Sequence, residues 1–442
     1  MNDSGIKFEV HLIQNFAPSN LNRDDTGQPK SAFFGGFRRA RVSSQCGKRA
    51  VRDWWREQGT VSVGDRTKRL QQLIADRLMQ DEGFMGKVKE EEDRKAGIRV
   101  FTEAYYSGTD KKKPDNTSVL IFIGPAEIDV CAEMIKELWD DGTKEVTKKG
   151  KKETVIIKGI ATIANEVREF EAKSGAKKED GDESPESEDT EDTGKKKKRP
   201  KLGVVKEIED QIKSAQISAD IALFGRMLAE QPGRNTDGAC QVAHPISTHK
   251  VDMEMDFYTA VDDLNPSDEP GAGMMGVIGF NSACYYRYAL VDRDQLARNL
   301  ARKTDRKNGR WTEALGESDY QEADKVIRAF FDAMVYAVPT GKQNSFAAQN
   351  LPSFGLFVRR QSGVPISLAN AFAKPVRPTR DDDDTIGLSV AALTMHWDTI
   401  SKVYGRQGIH SVACFHLGYG DRLNGLGSFA KDSVNEAIDA VI

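Results

Sequence analysis

Residues 22–55 read NRDDTGQPKSAFFGGFRRARVSSQCGKRAVRDWW, and the way the chain enters and leaves this stretch decides how the rest is arranged. Between Arg23 and Arg56 stand nine basic residues (Arg23, Lys30, Arg38, Arg39, Arg41, Lys48, Arg49, Arg52, Arg56) against three acids, Asp24, Asp25 and Asp53. Upstream, Ile6 to Ile13 alternates apolar and polar residues in the manner of a half-buried strand. The chain is thus expected to start in a core strand and leave it into a cationic loop. Downstream, Ser43, Ser44 and Gln45 supply an N-cap candidate, and Gly47 to Trp55 reads as a short helix carrying Lys48, Arg49 and Arg52. The free N–H groups and dipole of such a helix start favour anions. An isolated charge run is usually just solvated. Here Gly27, Gly35 and Gly36 permit close backbone approach, Arg38, Arg39 and Arg41 offer planar forks, and Ser43, Ser44 and Gln45 add short polar donors. That combination suits a phosphodiester backbone. Neither GxxxxGK[ST] nor GxGxxG occurs in it, which disfavours a mononucleotide or dinucleotide pocket.

The length of 442 residues implies two or three modules, or one core with large insertions. With 38% hydrophobic and 30% charged residues the chain belongs to the soluble globular class. It shows neither a secretory leader pattern nor a run of apolar residues long enough to span a bilayer, so a cytoplasmic location is expected. Cys46, Cys131, Cys240, Cys284 and Cys414 are scattered and never spaced as CxxC, which argues against a disulfide framework or a zinc ribbon. The formal charge of −4 averages over segments that need not touch a ligand.

Beyond residue 58 the character changes. Thr67–Leu78 carries a helical apolar stripe at Leu70, Leu73, Ile74 and Leu78, and Ile128–Trp139 another at Val130, Met134, Ile135 and Leu138. Lysines 111–113 and 148, 149, 151 and 152 punctuate this helical module, either as solvated surface or near a second strand. Between Glu179 and Asp192 fall nine acids, followed by the basic run from Lys195 to Arg199. Residues from about 174 to 200 have no large apolar side chain to offset ordering entropy and are expected to be disordered. Val205–Ala219 reads as helix and Asp220–Met227 (DIALFGRM) as a strand ending in a corner. Met227 is by default a core residue, yet its place at a strand end also suits an exposed thioether against a base. In HPISTHKVDMEMDFYTAVDDL, residues 244–264, Thr248–Met255 alternates and Asp256–Thr259 interrupts it; strand character resumes over Val277–Val291. Two strands around a flexible tip form a protruding ribbon. Phe257 and Tyr258 either fill its core or stack on bases. His244, His249 and Asp252 make a poor metal set, because alternation sends the two histidines to opposite faces. A helix over Tyr320–Val335, a Gly-containing loop with Lys342 and Gln343, a core strand at Leu356–Val358 and a helix over Val390–Tyr404 complete the chain.

The string LNRDDTGQPKSAFFGGFRRARVSSQCGKRA closely resembles the N-terminal signature of the CasC family of the RAMP superfamily, the crRNA-binding backbone subunit of type I-E CRISPR Cascade complexes. DIALFGRM, the 244–264 ribbon, VPTGKQNSFAA and PISLANAF resemble further family motifs in family order; residues 58–200 do not align convincingly. The resemblance implies an α+β fold: a modified ferredoxin-like, RRM-type palm (1–57 and 203–442), a helical finger insertion (58–202), and a long β-hairpin thumb (244–288). It implies that several copies assemble along the crRNA with other Cascade subunits. Each grips phosphates, while the thumb displaces a base at regular intervals and leaves the others to pair with target DNA. Arg23, Lys30, Ser43, Gln45, Lys48, Arg49 and Arg52 match palm positions that contact phosphates, and Met227, Tyr258 and Thr259 match positions around the displaced base. Arg38, Arg39, Arg41 and Lys342 join the RNA-binding set on their chemistry. Guide binding would be indifferent to sequence, with specificity delegated to base pairing. No catalysis, cofactor or resident metal is expected.

Two enzymatic readings compete. Asp24 and Asp25 beside the cationic loop could hold Mg²⁺ against a phosphate, as a metal-dependent RNase of a related effector would, although Mg²⁺ sites usually draw carboxylates from several elements. Otherwise they pair with neighbouring cations and orient the loop. A crRNA-processing endonuclease would need a general base, for which His11 on the first strand is the nearest candidate. A scaffold without RNA contact would leave the basic loop as decoration.

Overall fold

The computed structural model describes all residues except 1–4, 149–150, 176–198, 229–230, 262 and 264–271. The acidic and basic run between 179 and 198 and the tip of the ribbon therefore lie outside the described residues. The fold is α+β, a mixture of helices and antiparallel sheet, and divides into two compact units. One comprises residues 1–63, 222–225 and 237–442; the other comprises 64–221 and 226–236, against sequence bounds of 58 and 202 for the insertion.

The first unit begins with β1 (Lys7–Ser19), the short hairpin strands β2 (Ser31–Phe34) and β3 (Phe37–Ala40), and α1 (Ser44–Gln58). β1 departs from the half-buried expectation: Phe8 through Ile13 are all buried, Glu9 and His11 included. The reason is a second layer. On one face Phe8 meets Phe331 edge-on. On the other, Ile13 joins a core with Val390, Leu393 and Trp397, and Glu9 is paired with Arg360 at 2.8 Å. Polar residues of an alternating strand can be buried when each finds a partner. Glu9 also accepts from the backbone N–H of Ile366 at 2.6 Å, and His11 Nδ1 lies 2.9 Å from the Tyr286 hydroxyl.

The second unit contains β4 (Asp65–Thr67), α2 (Leu70–Leu78), α3 (Glu82–Lys87), α4 (Glu91–Tyr105), β5 (Ile121–Ile123), α5 (Pro125–Glu137), β6 (Gly142–Lys148), β7 (Lys151–Ile157), α6 (Ile160–Gly175) and α7 (Lys206–Ser214). It is not purely helical: β4 pairs with β5, and β6 with β7. The two apolar stripes seen in the sequence are its core, with Leu70, Ile74, Leu78, Ile128, Met134 and Ile135 buried together. Gly97 on α4 lets Trp139 close over the helix, since a Cβ there would stand 2.5 Å from the indole.

The DIALFGRM stretch is a helix, α8 (Ala219–Phe224), rather than a strand. Six residues of mostly apolar chain fit either element by pattern alone. Local polar chemistry decides for helix: Asp220 Oδ1 accepts from the Ser218 hydroxyl at 2.6 Å and from the backbone N–H of Ile221 at 3.0 Å. Gly225, at φ 82°, then ends the helix.

The rest of the first unit supplies β8 (Cys240–Val242), β9 (Ile246–Ser247), β10 (Glu254–Val261), β11 (Ala272–Asp292), α9 (Arg293–Ala301), β12 (Arg306–Lys307), β13 (Arg310–Trp311), α10 (Glu317–Tyr336), α11 (Gln343–Phe346), β14 (Phe354–Arg360), α12 (Thr385–Tyr404), β15 (Ile409–His416) and α13 (Val434–Asp439). The main sheet runs β10-β11-β1-β14-β15, all antiparallel, with β8 and β9 also on β11. β11 does double duty: Ala272–Phe280 pairs with β10 as a ribbon, and Asn281–Asp292 pairs with β1 in the core. The alternation over Thr248–Met255 does not make a strand there; residues 248–253 are irregular, and Asp256–Thr259, expected to interrupt the strand, are its middle. His249 explains the irregularity, because its Nε2 accepts from the Cys284 backbone N–H at 3.1 Å and displaces strand pairing. All five cysteines are free thiols. Among the described residues no helix is long and apolar enough to cross a membrane.

Candidate nucleic-acid interface

The cationic loop is held from inside by its acids and amides. Asp24 Oδ1 accepts from the Thr26 hydroxyl at 2.8 Å, the Gln28 N–H at 2.9 Å and the Thr26 N–H at 3.0 Å. These bonds, the Thr26 hydroxyl first, hold the Asp24 carboxyl below the usual carboxylate range. Asp24 is therefore a loop staple, with Asp25 exposed beside it. Asn20 Nδ2 donates to Gly27 O at 3.0 Å and Gly279 O at 2.9 Å, fastening the loop to the root of the β10–β11 ribbon. Asn22 Oδ1 receives the Ser43 N–H at 2.8 Å, and the Lys30 N–H returns to Asn22 O at 2.9 Å.

Ser43 is the N-cap of α1, its hydroxyl accepting from the Cys46 N–H at 3.2 Å. A hydroxyl cap of this kind is worth about 1 kcal/mol. It leaves Ser43 nearly buried and Gln45 exposed on the first turn. Lys30 and Arg49 both bear electrostatically on Cys46, although burial dominates and raises that thiol. Arg41 donates to His244 Nδ1 at 2.9 Å, and His244 is pushed below its ordinary value by burial, then by Arg41 and Lys30. The Lys342 loop closes the same neighbourhood: Gly341 packs so tightly on Leu21 that a Cβ would stand 2.3 Å from its carbonyl. Cys46 Sγ lies 3.7 Å from that Leu21 carbonyl. Lys342 adopts φ 52°, Gln343 Nε2 braces the loop on Pro339 O and Ala348 O at 3.0 Å each, and Phe346 meets Phe280 at the root of the ribbon, 5.7 Å between centroids. The structure thus gathers Lys30, Arg41, Ser43, Gln45, Arg49 and Lys342 around Leu21 and the start of α1. Arg23 extends from the loop just before them.

Three predicted contacts have a different fate. Arg39 is fully buried and donates to Ser247 O at 2.9 Å, Phe372 O at 2.7 Å and Ala373 O at 3.4 Å. It is a structural tie rather than a phosphate fork, because strand alternation turns it inward while Arg38 turns out. Arg52 is 8% exposed on the inner face of α1. Lys48 sits over the Phe224 ring at 5.2 Å, its ammonium already engaged by a π face. The sequence did not distinguish these from their outward neighbours. Phe33, 79% exposed and opposite Arg38 across β2–β3, is the aromatic that went unnoticed; its signal was the FFGGF turn, in which Gly35 and Gly36 both have positive φ.

On the ribbon, Tyr258 and Thr259 are exposed together with Phe257. Tyr258 lies across Gly276 on the opposite strand, where a Cβ would stand 2.4 Å from the ring. In the second unit Met227 is 84% exposed, so it is not the core residue its hydropathy suggests. Its neighbour Arg226 is buried and bound to Glu127 at 2.7 and 2.8 Å, which pins the backbone from which the thioether projects. His244 and His249 both have partners of their own: His244 is engaged by Arg41, and His249 by Lys250 O at 2.8 Å and the Cys284 N–H. No metal-holding group of three or more His, Cys, Asp or Glu occurs among the described residues.

The profile of the family described as CT1975-like protein matches residues 8–421. A chain of a solved structure described as "CRISPR RNA-guided surveillance complex, pre-nicking" is 28% identical, with 98% of each chain covered and a TM-score of 0.69. A chain of a second, described as "CRISPR RNA-guided surveillance complex", shares the fold at 24% identity, 98% coverage of each chain and a TM-score of 0.61. No curated protein matches the sequence.

Proposed function

Because the chain belongs to the family of CT1975-like proteins, we propose that it is the non-catalytic backbone subunit of a Cascade surveillance complex of type I-E. Several copies line the crRNA together with the other Cascade subunits. The first unit acts as a ferredoxin-like, RRM-type palm, the second as the finger, and the β10–β11 ribbon as the thumb. The palm holds guide phosphates without regard to sequence, Tyr258, Thr259 and Met227 meet a displaced base, and the remaining bases pair with target DNA. The observation that carries this reading is a set of cations that the fold leaves without carboxylate partners. Among the described residues Arg23, Lys30, Arg38 and Lys342 form no ion pair, while Arg49 has only an exposed contact with Asp53 at 3.5 Å. Unpaired cations on a loop braced this firmly are pre-organised for a polyanion.

The test is RNA carried by the purified protein, sized after nuclease digestion, for wild type and for Arg23→Ala/Lys30→Ala/Arg49→Ala. These side chains are outside the core, so the variant keeps its fold. Evenly spaced protected fragments in the wild type and their loss in the variant support the reading. A wild type that stays RNA-free when guide is supplied overturns it. Asp24 is engaged by its own loop, and no cleavage of bound RNA in Mg²⁺ is expected from wild type or from Asp24→Ala/Asp25→Ala.

A further inference from the structure

Residues 298–311 carry Arg298, Arg302, Lys303, Arg306, Lys307 and Arg310 against the single acid Asp305. The segment folds as the hairpin β12–β13 around Asn308 and Gly309, whose φ values of 52° and 76° fit the two-residue turn that Asn-Gly favours. Its base is fixed: Thr312 donates from its N–H to Asp305 O at 3.0 Å, and Lys303 pairs with Asp319 at 2.7 Å at the start of α10. Trp311 lies against two guanidiniums, Arg306 at 3.7 Å and Arg298 at 4.4 Å from its ring centroid. Arg298 is held in turn by Glu313 O at 3.1 Å. At the tip, Lys307 and Arg310 face each other directly across the ladder. Both are exposed, and among the described residues neither has an acidic partner. Like charges directly opposite each other weaken a sheet pair, so this arrangement lowers the stability of the isolated hairpin and is relieved by an external anion.

We propose that the β12–β13 hairpin is a second nucleic-acid contact, taking the phosphate backbone of a duplex. Charge is all the hairpin offers. The one large apolar side chain, Trp311, is already engaged by the guanidiniums of Arg306 and Arg298, so it is not a free aromatic anchor of the kind typical of a protein interface. A two-stranded ribbon with cations on both strands has the width to enter a major groove and meet its phosphates. The site is separate from the cationic loop. The hairpin precedes α10 and the Lys342 loop follows it, and 20 helical residues span about 30 Å.

The test compares the full-length protein with Lys307→Ala/Arg310→Ala, titrated with labelled 30-base-pair DNA and RNA duplexes over a range of salt. The plot of log K against log salt is expected to flatten by about 1.8 in the variant, two phosphates at about 0.9 each. Lys307→Arg/Arg310→Lys should restore the wild-type slope. A change confined to one duplex identifies DNA or RNA as the source of the phosphates. Guide-RNA loading is read on the same samples and should be unchanged, so failure here is distinct from failure of the loop reading. Equal slopes for wild type and variant on both duplexes overturn the proposal, as does a variant whose only loss is affinity for an acidic polypeptide such as polyglutamate.

Discussion

Arg38 and Arg39 are adjacent in the chain and do opposite work. Arg39 spends its guanidinium on three backbone carbonyls inside the protein, so Arg39→Ala should leave them unsatisfied and cost about 3 kcal/mol of stability by denaturant unfolding. Arg38→Ala touches nothing buried; its stability should stay within about 0.5 kcal/mol of wild type while RNA affinity falls. Asp24 makes a third case. Its carboxyl is held below the range it has in the unfolded chain, chiefly by the Thr26 hydroxyl. The ordering of the loop is therefore fully present above the unfolded value and is lost as pH falls through the lower folded value. Protection of the Thr26 and Gln28 amides from hydrogen exchange should persist at a pH near 4, an ordinary carboxylate pKa, and disappear in Asp24→Ala at every pH. Early loss of protection in the wild type would show that the staple is not what orders the loop.

At the scale of elements, Tyr258 and Gly276 form one device. The ring rests where a side chain at 276 would be, so Gly276→Val should push it off the ribbon. If Tyr258 stacks on a displaced base, Tyr258→Ala should weaken guide binding by about 1–3 kcal/mol, and Gly276→Val should reproduce much of that loss with Tyr258 still present. Unchanged binding in both variants would exclude stacking at this position. Periodicity made several elements legible: α2, α5 and α10 show clear apolar stripes, and the Ser43 cap marked the start of α1. The failures have physical causes. α8 is too short for its period to show, and the hydrogen bonds Asp220 accepts from the Ser218 hydroxyl and the Ile221 N–H outweigh strand propensity. The break before β10 comes from a His249 contact with Cys284, 35 residues away, which no local pattern contains. β1 alternates as a half-buried strand would, but Arg360 and Tyr286 wait on its polar face. The cationic loop was readable as a candidate site because charge density, glycines and hydroxyls coincide there. Which of its arginines turn inward was not, since that depends on the carbonyls of Ser247 and Phe372, distant in sequence.

For the whole molecule, the net charge of −4 does not oppose the proposed phosphate contact, because charge is unevenly spread and the cationic loop and its surroundings gather several exposed cations. Five of them, Arg23, Lys30, Arg38, Arg49 and Lys342, are at least partly exposed and lack a buried ion pair. If each meets one phosphate of a single-stranded guide, the salt slope for one copy is about −3.5, five contacts at about 0.7 each. On the proposed backbone role, so few contacts per copy would be offset by copies adding side by side, each raising the effective concentration for the next. An oligonucleotide that accommodates one copy should give this slope and dissociate readily. Longer guides should gain mass in whole protomers by native mass spectrometry, with apparent affinity rising faster than the number of copies. A single copy that binds a short oligonucleotide as tightly as a long guide would mean that the five cations are not the main contact and that assembly along the RNA contributes nothing to loading.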